Sequence, residues 1–358
     1  MLIPKISIIM AVYNGEKYLR LAINSVLQQD FIDYEFIIVD DCSNDSTATI
    51  ISSYEDERIK YIKNKVNLGQ TPSLNIGLSL AKGKYIARID ADDIYLPEKL
   101  EKQFNFMENN SNVVVCGTNG LKIDDNGEII GTYSVPQKSK DLLFHILYGS
   151  PIIHVSVLMR RSIIIANGGY NEEYPYCADF ALWSKLITNK YNVLNLPLTL
   201  IKFRLFDGSL GVAKKLGPSG KEATDIIYSN ITELSNISIS KKECEAIILM
   251  LWPEAGHSID DLTNAYLKLI SLAKELYNSK IPFRALIIIN KHYLKSLVKR
   301  GLYYKSQSQI GMIKKDYLMI LKSYLNKPML SLMVIISLFI ILFISKKHIN
   351  NIKRLFPV

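Results

Sequence analysis

Ile89-Asp90-Ala91-Asp92-Asp93-Ile94 places three carboxylates directly after residues 85–89, which are predicted to be a buried strand. Three acids so close together repel one another at neutral pH, and a cation or water must offset that repulsion. In an open parallel sheet, ligands bind beyond the carboxyl ends of the strands. A hard divalent ion, held by one or two carboxylates and substrate phosphates, suits this turn; a solvated acidic loop is the alternative.

A second acidic pair follows an earlier apolar run in the same way. Asp40-Asp41 comes directly after residues 36–39, which are also predicted to be a buried strand. Two acidic sites at one edge of a sheet indicate a shared cleft. A carboxylate there can accept the imide N–H of a uracil ring or bind a ribose hydroxyl. Helix capping is the alternative, although Ser43 and Asp45 could serve as caps themselves.

Strand-like and helical periods alternate through the first 117 residues. Strands are predicted at residues 6–12, 36–39, 59–62, 85–89 and 113–116. Helices are predicted between them, with caps or proline starts at Asn14, Asp45, Thr71-Pro72 and Pro97. Such alternation implies right-handed crossovers and an α/β fold with a mostly parallel sheet. Beyond Gly117 the alternation is lost, and Asp125-Asn126-Gly127 predicts a hairpin.

Charge is distributed unevenly along the 358 residues, whose formal net charge is +9. After residue 279 there are 15 of the 43 basic residues and only one of the 34 acidic residues, Asp316. A basic module of this kind usually binds nucleic acid or anionic lipid. With 48% hydrophobic residues, the remainder of the chain can form a sizeable core.

The basic C-terminal region contains a 16-residue uncharged apolar run, residues 329–344. As a helix it would extend about 24 Å, slightly less than a bilayer core. It is apolar all round and has lysines at both ends, which favours membrane contact over a buried helix and leaves open whether it spans. The basic charge borders this run and not an aromatic stacking surface, so we expect no nucleic-acid binding.

Several classes of protein are excluded by missing motifs. The first strand leads into Tyr13-Asn14-Gly15-Glu16, which lacks the glycine pattern of a dinucleotide-binding oxidoreductase. Gly217-Pro218-Ser219-Gly220-Lys221 lacks the spacing of a P-loop. The four cysteines form no C-x-x-C pair, which favours reduced thiols in a cytoplasmic setting. The N-terminus reads as a first strand and not as a signal peptide.

The order of the motifs resembles glycosyltransferase family 2, with the GT-A fold, over roughly residues 5–205. The matching segments are Tyr13-Asn14-Gly15, the stretch from Val39-Asp40-Asp41 to Ser46-Thr47, Asn67-Leu68-Gly69 and Asp90-Ala91-Asp92-Asp93. The resemblance, to bacterial surface-polysaccharide enzymes, implies an inverting transfer of a sugar from a nucleotide diphosphate to a glycan or lipid-linked acceptor. It implies a UDP-sugar donor, a Mn²⁺ or Mg²⁺ cofactor and a helical C-terminal extension.

The resemblance also assigns the donor site. Asp41 would contact the base, Asp90 the ribose, and Asp92 the metal ion. Further donor contacts are expected from Tyr13, Asn14, Glu16, Asn67, Gly69 and Arg204. The family commonly has His and Ser after Arg204, whereas this chain has Leu205-Phe206-Asp207-Gly208-Ser209.

The family's catalytic base is expected at Asp179. Tyr176-Cys177-Ala178-Asp179 resembles the base-bearing segment, except that Ala178 replaces an acidic neighbour. A carboxylate in the first turn of a helix can take the proton of the acceptor hydroxyl; a helix N-cap is the alternative role. Trp183 and His154 are candidates for the acceptor side, with core packing as the alternative.

These motifs divide the chain into a nucleotide-sugar-binding half (1–117), an acceptor-binding half (118–215), a helical basic extension (216–327), a membrane-associated segment (328–345) and a basic tail (346–358). We expect the protein at the cytoplasmic face of a bacterial membrane. Two other functions stay open: a nucleotidyltransferase, and an inactive membrane-tethered sugar-nucleotide binder. A processive synthase is not expected, because its Q-x-x-R-W motif and multiple spans are missing.

Overall fold

The computed structural model describes residues 3–205, 218–251 and 259–276. The chain divides into two compact units, residues 1–241 and residues 242–358. The first unit contains all the candidate site residues. The basic residues after 279 and the apolar run 329–344 lie outside the described residues. Within those residues, every helix is too short or too polar to cross a membrane.

The first unit is built on one sheet. Its strands are β1 (Ile6–Val12), β2 (Tyr34–Asp40), β3 (Ile59–Lys63), β4 (Tyr85–Arg88), β5 (Ile94–Tyr95), β6 (Val113–Ile123), β7 (Ile129–Tyr133), β8 (Leu158–Arg160) and β9 (Asn192–Arg204). Its helices are α1 (Leu19–Leu27), α2 (Thr47–Ser52), α3 (Gln70–Leu80), α4 (Lys99–Asn109), α5 (Ser139–His145), α6 (Arg161–Ala166), α7 (Ala178–Thr188) and α8 (Pro218–Leu234).

The sheet has the order β3-β2-β1-β4-β8-β6-β9-β5, and β7 pairs with β6. The first four strands are parallel, as the alternation predicted. Beyond them β8 is antiparallel to both β4 and β6, while β6 and β9 are parallel. The carboxyl ends of β1, β2 and β4 therefore meet at one edge, which is where the predicted acidic segments lie.

The predicted strands and the hairpin are confirmed, with changed ends. β6 continues to Ile123, seven residues beyond its predicted end at Cys116, because it pairs along its length with β9. The turn between β6 and β7 contains Gly127 in the left-handed region, at φ +88°. Burial explains the regularity of the first strands: all seven residues of β1 and of β2 are buried, as expected for a sheet covered on both faces.

Three predicted helix starts are wrong. Asn14 lies five residues before Leu19, the first residue of α1, and its side chain bonds to a neighbouring loop instead of capping the helix. α3 begins at Gln70 after Gly69, whose φ of +94° favours glycine, so that Thr71-Pro72 lies inside the first turn. α4 begins at Lys99 and not at Pro97. In the first case a tertiary contact takes the side chain that local sequence assigns to a cap.

Helix α8 packs within the first unit, although the sequence assigns it to the extension beyond residue 215. Asn230 on α8 donates hydrogen bonds to the Ile146 carbonyl (2.8 Å) and to Ser184 Oγ (2.9 Å). The second unit includes two helices, α9 (Lys241–Leu251) and α10 (Ile259–Leu276). Both contribute fully buried apolar side chains, among them Ile247 and Leu272.

Candidate active site

Two loops at the carboxyl edge of the sheet are joined side by side, one following β1 and the other following β2. Five hydrogen bonds connect them, each from a main-chain N–H to a side-chain oxygen: Asn14 N to Ser43 Oγ (2.9 Å), Gly15 N to Thr47 Oγ1 (2.8 Å), Glu16 N to Asp45 Oδ2 (3.0 Å), Asn44 N to Asn14 Oδ1 (3.0 Å) and Ser46 N to Glu16 Oε2 (2.9 Å). We refer to residues 14–16 and 43–47 as the paired loops.

The paired loops give a structural role to two of the predicted donor-binding residues, Asn14 and Glu16. Asn14 and Glu16 have polar side-chain atoms committed to holding the loops, whereas the Tyr13 ring is 52% exposed beside them. Gly15 lies against the acidic turn, since a Cβ there would be 2.6 Å from Val12 Cγ2 and 3.4 Å from Ala91 Cβ. A larger residue at position 15 would therefore push these segments apart.

Asp41 organises the loop that precedes α3. Its Oδ1 accepts hydrogen bonds from Asn64 Nδ2 (2.8 Å) and Leu68 N (2.8 Å), and its Oδ2 accepts one from Gly69 N (2.7 Å). The side chain is almost fully buried, and Asn67 in the same loop is exposed. The contact of Asp41 with a nucleotide base stays a prediction; within the protein, this carboxylate holds the loop in place.

The start of α3 links three parts of the site. Gly69 is bonded to Asp41, and the next residue, Gln70, donates from Nε2 to Asp90 Oδ1 at 3.2 Å. Thr71 Oγ1 lies 3.5 Å from the Pro175 carbonyl, in the segment leading to α7. Gln70 is missing from the sequence-based site because a glutamine next to a helix start carries no distinctive signal.

The acidic turn brings three carboxylates together. Oxygen atoms of Asp90, Asp92 and Asp93 lie within 4.8 Å of one another. Burial and the neighbouring Asp90 charge raise the pKa of Asp92 to about 6, and burial with the charges of Asp92 and Asp90 raises the pKa of Asp93 well above its usual range. Oxygen donors at this spacing suit a hard divalent cation, whose charge would offset the repulsion. The residues therefore fit a Mn²⁺ or Mg²⁺ ion.

Arg88 supplies a fixed positive charge beneath the turn. It is buried at the end of β4, and its Nη1 forms an ion pair with Asp90 Oδ2. Sequence reasoning missed this residue because it treated residues 85–89 as an apolar strand. The available signal was an arginine inside a predicted buried strand, since a buried charge requires a partner.

Arg204 is buried beside the acidic turn. It is 3% exposed, and its side chain donates to carbonyls, from Nε to Asp92 O (3.1 Å) and from Nη1 to Asp124 O (2.7 Å) and Asp125 O (3.1 Å). Its guanidinium carbon lies 4.1 Å from the centroid of the Tyr18 ring. A donor contact of Arg204 stays a prediction; within the protein, this buried arginine joins the acidic turn to the β6–β7 hairpin.

Asp179 lies in the first turn of α7 and is half-buried. Its pKa is raised, chiefly by burial and also by the charge of Asp90. The Phe180 main-chain hydrogen bond and the charge of Arg88 act in the opposite direction and lower the pKa. Asp179 is thus within electrostatic range of Asp90 and of its ion-pair partner. A carboxylate whose pKa is raised, next to a candidate metal site, has the properties of a general base.

His154 and Trp183 lie next to each other, and Trp183 follows Asp179 by one turn of α7. The rings are 6.0 Å apart, and His154 Nε2 is 2.9 Å from the hydroxyl of Tyr170. Burial and the nearby Arg88 charge lower the pKa of His154 well below its usual range, which favours the neutral imidazole. Trp183 is fully buried, which agrees with core packing, the alternative role that the sequence left open for it. It supports His154, which is half-buried.

Glu222 on α8 fixes the segment that precedes Asp179. Its Oε2 accepts hydrogen bonds from Tyr176 N (2.9 Å) and Cys177 N (2.8 Å). The sequence has Ala178 where a second acid was expected, and a carboxylate from 44 residues further along instead reaches the residues before it. A contact at this separation has no local sequence signal.

Comparisons with known proteins identify the family to which the chain belongs. The description "Glycosyl transferase family 2" belongs to the family profile that matches residues 7–167. An uncharacterized glycosyltransferase of Haemophilus influenzae is 32% identical over 305 residues, which cover 81% of this chain and 92% of the relative. This chain belongs to glycosyltransferase family 2, as the motif order indicated.

Two further proteins are similar to this chain. The Escherichia coli UDP-Glc:alpha-D-GlcNAc-diphosphoundecaprenol beta-1,3-glucosyltransferase WfaP is 31% identical over 211 residues, covering 58% of this chain and 80% of WfaP. The crystal structure of Staphylococcus aureus TarS 1–349 in complex with UDP-GlcNAc has a TM-score of 0.54 and 19% identity, covering 87% of this chain and 90% of TarS 1–349. The fold is therefore the expected GT-A fold, and the protein is a glycosyltransferase.

Proposed function

We propose that this protein is an inverting, metal-dependent glycosyltransferase that transfers a sugar from a UDP-sugar to a lipid-linked glycan in cell-surface polysaccharide synthesis. One observation carries the proposal: the start of α3 joins the acidic turn, through Gln70 and Asp90, to the segment that leads to Asp179, through Thr71 and the Pro175 carbonyl. A metal site for a diphosphate and a base for a hydroxyl are the two groups that such a transfer requires.

The donor is proposed to bind along the edge formed by the paired loops and the loop at residues 64–69. Tyr13 offers an exposed ring for a base, and the remaining lone pairs of the Asp41 carboxylate can accept a uracil imide N–H. Asn67 and Gly69 lie in the loop that Asp41 holds. A UDP-sugar is favoured because WfaP uses UDP-Glc by its name and the TarS structure contains UDP-GlcNAc.

Asp92 and Asp90 are proposed to hold the divalent ion, Mn²⁺ or Mg²⁺. When bound, such an ion acts as a Lewis acid and offsets the charge that develops on the departing diphosphate. The protein prepares this position with its own groups: Arg88 and Gln70 orient Asp90, and Arg204 holds the main chain at Asp92. Asp90 is also near enough to the donor loops, through Gln70, to serve the ribose contact that the resemblance implies.

Asp179 is proposed as the base. Its carboxylate takes the proton of an acceptor hydroxyl while that oxygen forms a bond to the anomeric carbon of the sugar. The bond from the anomeric carbon to the diphosphate oxygen breaks on the opposite side, so the configuration inverts and UDP leaves with the bonding electrons. The neutral imidazole of His154 is positioned on the acceptor side by Tyr170.

The acceptor is proposed to be lipid-linked because WfaP is named for a diphosphoundecaprenol acceptor. The basic residues after 279 and the apolar run 329–344, both outside the described residues, fit attachment to an anionic membrane. We therefore place the protein at the cytoplasmic face of a bacterial membrane. Fractionation of full-length protein and of a chain ending at Asn278 tests this, because membrane association should depend on the removed residues.

The enzymatic proposal is tested with purified full-length protein, UDP-Glc and UDP-GlcNAc as donors, and GlcNAc-diphosphate on a polyprenyl chain as acceptor. We expect a disaccharide lipid with an inverted anomeric centre, released UDP, and a requirement for Mn²⁺ or Mg²⁺. Asp92→Asn should abolish this transfer, whereas the control Asp225→Asn, on α8 away from the acidic turn, should not. Release of pyrophosphate would instead identify a nucleotidyltransferase, and full activity of Asp92→Asn would contradict the proposal.

A further inference from the structure

Lys122 is a half-buried cation on β6 without an acidic partner. Its Nζ lies 5.2 Å from the centroid of the Tyr133 ring. Among the residues that the structure describes, no carboxylate forms an ion pair with it, and burial lowers its pKa. A partly buried charge is stabilised by an opposite charge, so Lys122 has the properties of a binding site for an anionic ligand.

Lys122 belongs to a row of side chains on one face of the sheet. It is paired with Gly131 on β7 and with Phe203 on β9. Tyr133 follows Gly131 by two residues and so points to the same face. The rings of Tyr133 and Phe203 contact each other at 5.8 Å, and Lys122 Cδ passes 3.9 Å from the position of a Cβ on Gly131. The glycine therefore leaves room for the lysine stem.

This row faces the side of the site where the acceptor is expected. Burial raises the pKa of Tyr133, and the charge of Asp179 raises it further. The phenol and the carboxylate are therefore within electrostatic range of each other. Gly120, the register partner of Tyr133, has Ile153 Cδ1 at 3.4 Å from its Cβ position, and His154 is the next residue. The row thus begins near the proposed base.

Beyond Tyr133, strand β7 exposes apolar side chains. Ile129 is 57% exposed and Ile130 is 56% exposed, and β7 pairs only with β6 among the strands that the structure describes. An apolar edge strand exposed on both faces is usually covered in the functional state. The register of β7 against β6 shifts between Lys122 and Ile123, which places Ile129 opposite Ile123, one position beyond the lysine.

We propose that Lys122 and Tyr133 bind the diphosphate of a lipid-linked acceptor and that β7 contacts the first part of its lipid chain. This inference rests on the proposed function and specifies its acceptor site. In such an acceptor a sugar is followed by two phosphates and then by an apolar chain. The protein presents Asp179 within electrostatic range of Tyr133, then Lys122 opposite Gly131, then the exposed Ile129, in the same order.

The experiment compares two acceptor probes bound to the full-length protein in the presence of UDP and Mn²⁺. One is GlcNAc-diphosphate on a farnesyl chain, and the other is a farnesyl glycoside of GlcNAc without phosphate. Lys122→Met removes the charge, Lys122→Arg keeps it, and Lys202→Met removes a neighbouring lysine whose side chain lies on the opposite face. Calorimetric dissociation constants are measured, with thermal melting to verify folding.

We expect the wild-type protein to prefer the diphosphate probe and Lys122→Met to lose about tenfold or more of that preference, as for truncation of a charge-assisted contact. Lys122→Arg and Lys202→Met should retain it. An unchanged preference in Lys122→Met, or equal weakening of both probes, would overturn the subsite alone. Weaker binding of UDP by Lys122→Met would assign the lysine to the donor and also overturn it. If the wild-type protein bound neither probe, the lipid-linked acceptor and the subsite would both be wrong.

Discussion

The main-chain N–H of Arg204 donates a hydrogen bond to Asp93 Oδ1 at 2.8 Å, so the last residue of β9 is fixed to the acidic turn. The side chain of the same arginine extends this connection to the Asp92 carbonyl and to the β6–β7 hairpin. The hairpin is held from the other side, because Lys17 Nζ forms an ion pair with Asp125. The position of the candidate metal ligands thus depends on a residue that is itself buried.

Replacing Arg204 should weaken metal binding without removing a ligand. In Arg204→Met the carbonyls of Asp92 and Asp124 lose their donor, and we expect the Mn²⁺ affinity in the presence of UDP to fall about 10- to 100-fold, as for other residues that orient ligands. Arg204→Lys should not restore it, because a single ammonium cannot reproduce the planar fork. Calorimetric titration with Mn²⁺ measures this, and an unchanged affinity in Arg204→Met would contradict it.

Replacing the proposed base should affect turnover and not donor binding. Asp179→Asn is expected to lower kcat by about 10²- to 10⁴-fold, the usual contribution of a positioned base. Its UDP affinity should stay unchanged. Glu172→Gln, in the exposed loop before α7, serves as the matched control. Equal loss in both variants would show that the loop, and not the carboxylate of Asp179, is responsible.

Asp179 should also determine how the transfer rate depends on pH at the acidic end of the profile. Burial raises the pKa of Asp179, and only the ionised carboxylate can accept a proton. The transfer rate should therefore rise with pH through a midpoint above the usual aspartate value of 3.8. A profile of kcat between pH 4 and pH 8 measures it. A midpoint at or below 3.8 would show that the group titrating in the enzyme-substrate complex is not a buried carboxylate.

Glu222 should act by positioning Asp179. In Glu222→Ala the N–H groups of Tyr176 and Cys177 lose their acceptor, and we expect kcat to fall about tenfold with little change in the donor KM, a loss of about 1.4 kcal/mol. Glu222→Gln keeps an acceptor oxygen and should stay near wild-type activity. Steady-state kinetics of both variants separates these outcomes. A normal kcat for Glu222→Ala would mean that the segment before α7 is held by other contacts.

Lys99 predicts a pH-dependent stability. It is fully buried at the start of α4, its Nζ lies 4.0 Å from the Tyr95 ring centroid, and burial lowers its pKa from 10.5 to about 7. The unfolded chain therefore binds one more proton between these two values, so the free energy of unfolding should rise as pH increases from about 7 towards 10.

Lys99→Met should remove that pH dependence and stabilise the protein at neutral pH, because the buried ammonium no longer has to be desolvated. We expect a gain of about 1–3 kcal/mol at pH 7, reduced by the lost contact with Tyr95. Chemical denaturation of both proteins at pH 7 and pH 9.5 gives the comparison. A smaller difference between them at pH 7 than at pH 9.5 would contradict the assignment.

The parts of the fold that could be read from the sequence are those set by local pattern. The strands β1 and β2 are mostly apolar runs, and the acids that follow β2 and β4 mark the carboxyl ends of parallel strands. The geometry rule that brings such ends together was sufficient to predict that Asp41 and the acidic turn lie at one edge of the sheet. The order of the motifs, and not any single one, led to the family.

The parts that failed are set by contacts between distant segments. Asn14 was assigned to a helix cap, but its side chain is used by the neighbouring loop. Glu222 reaches residues more than 40 positions earlier. In each case a local role was plausible for the side chain, but tertiary packing gives it a different role. The hydrophobic periodicity of the sequence does not indicate that second role.

The paired loops have a consequence for how donor preference can change among related proteins. Their five cross-links join main-chain donors to side chains of the protein itself, so the paired loops are held together without any ligand. Tyr13 and Asn67, two residues of the proposed donor site, are exposed and take no part in these cross-links. Under the proposed function, related chains can therefore change their nucleotide preference at such exposed positions without losing the cross-links.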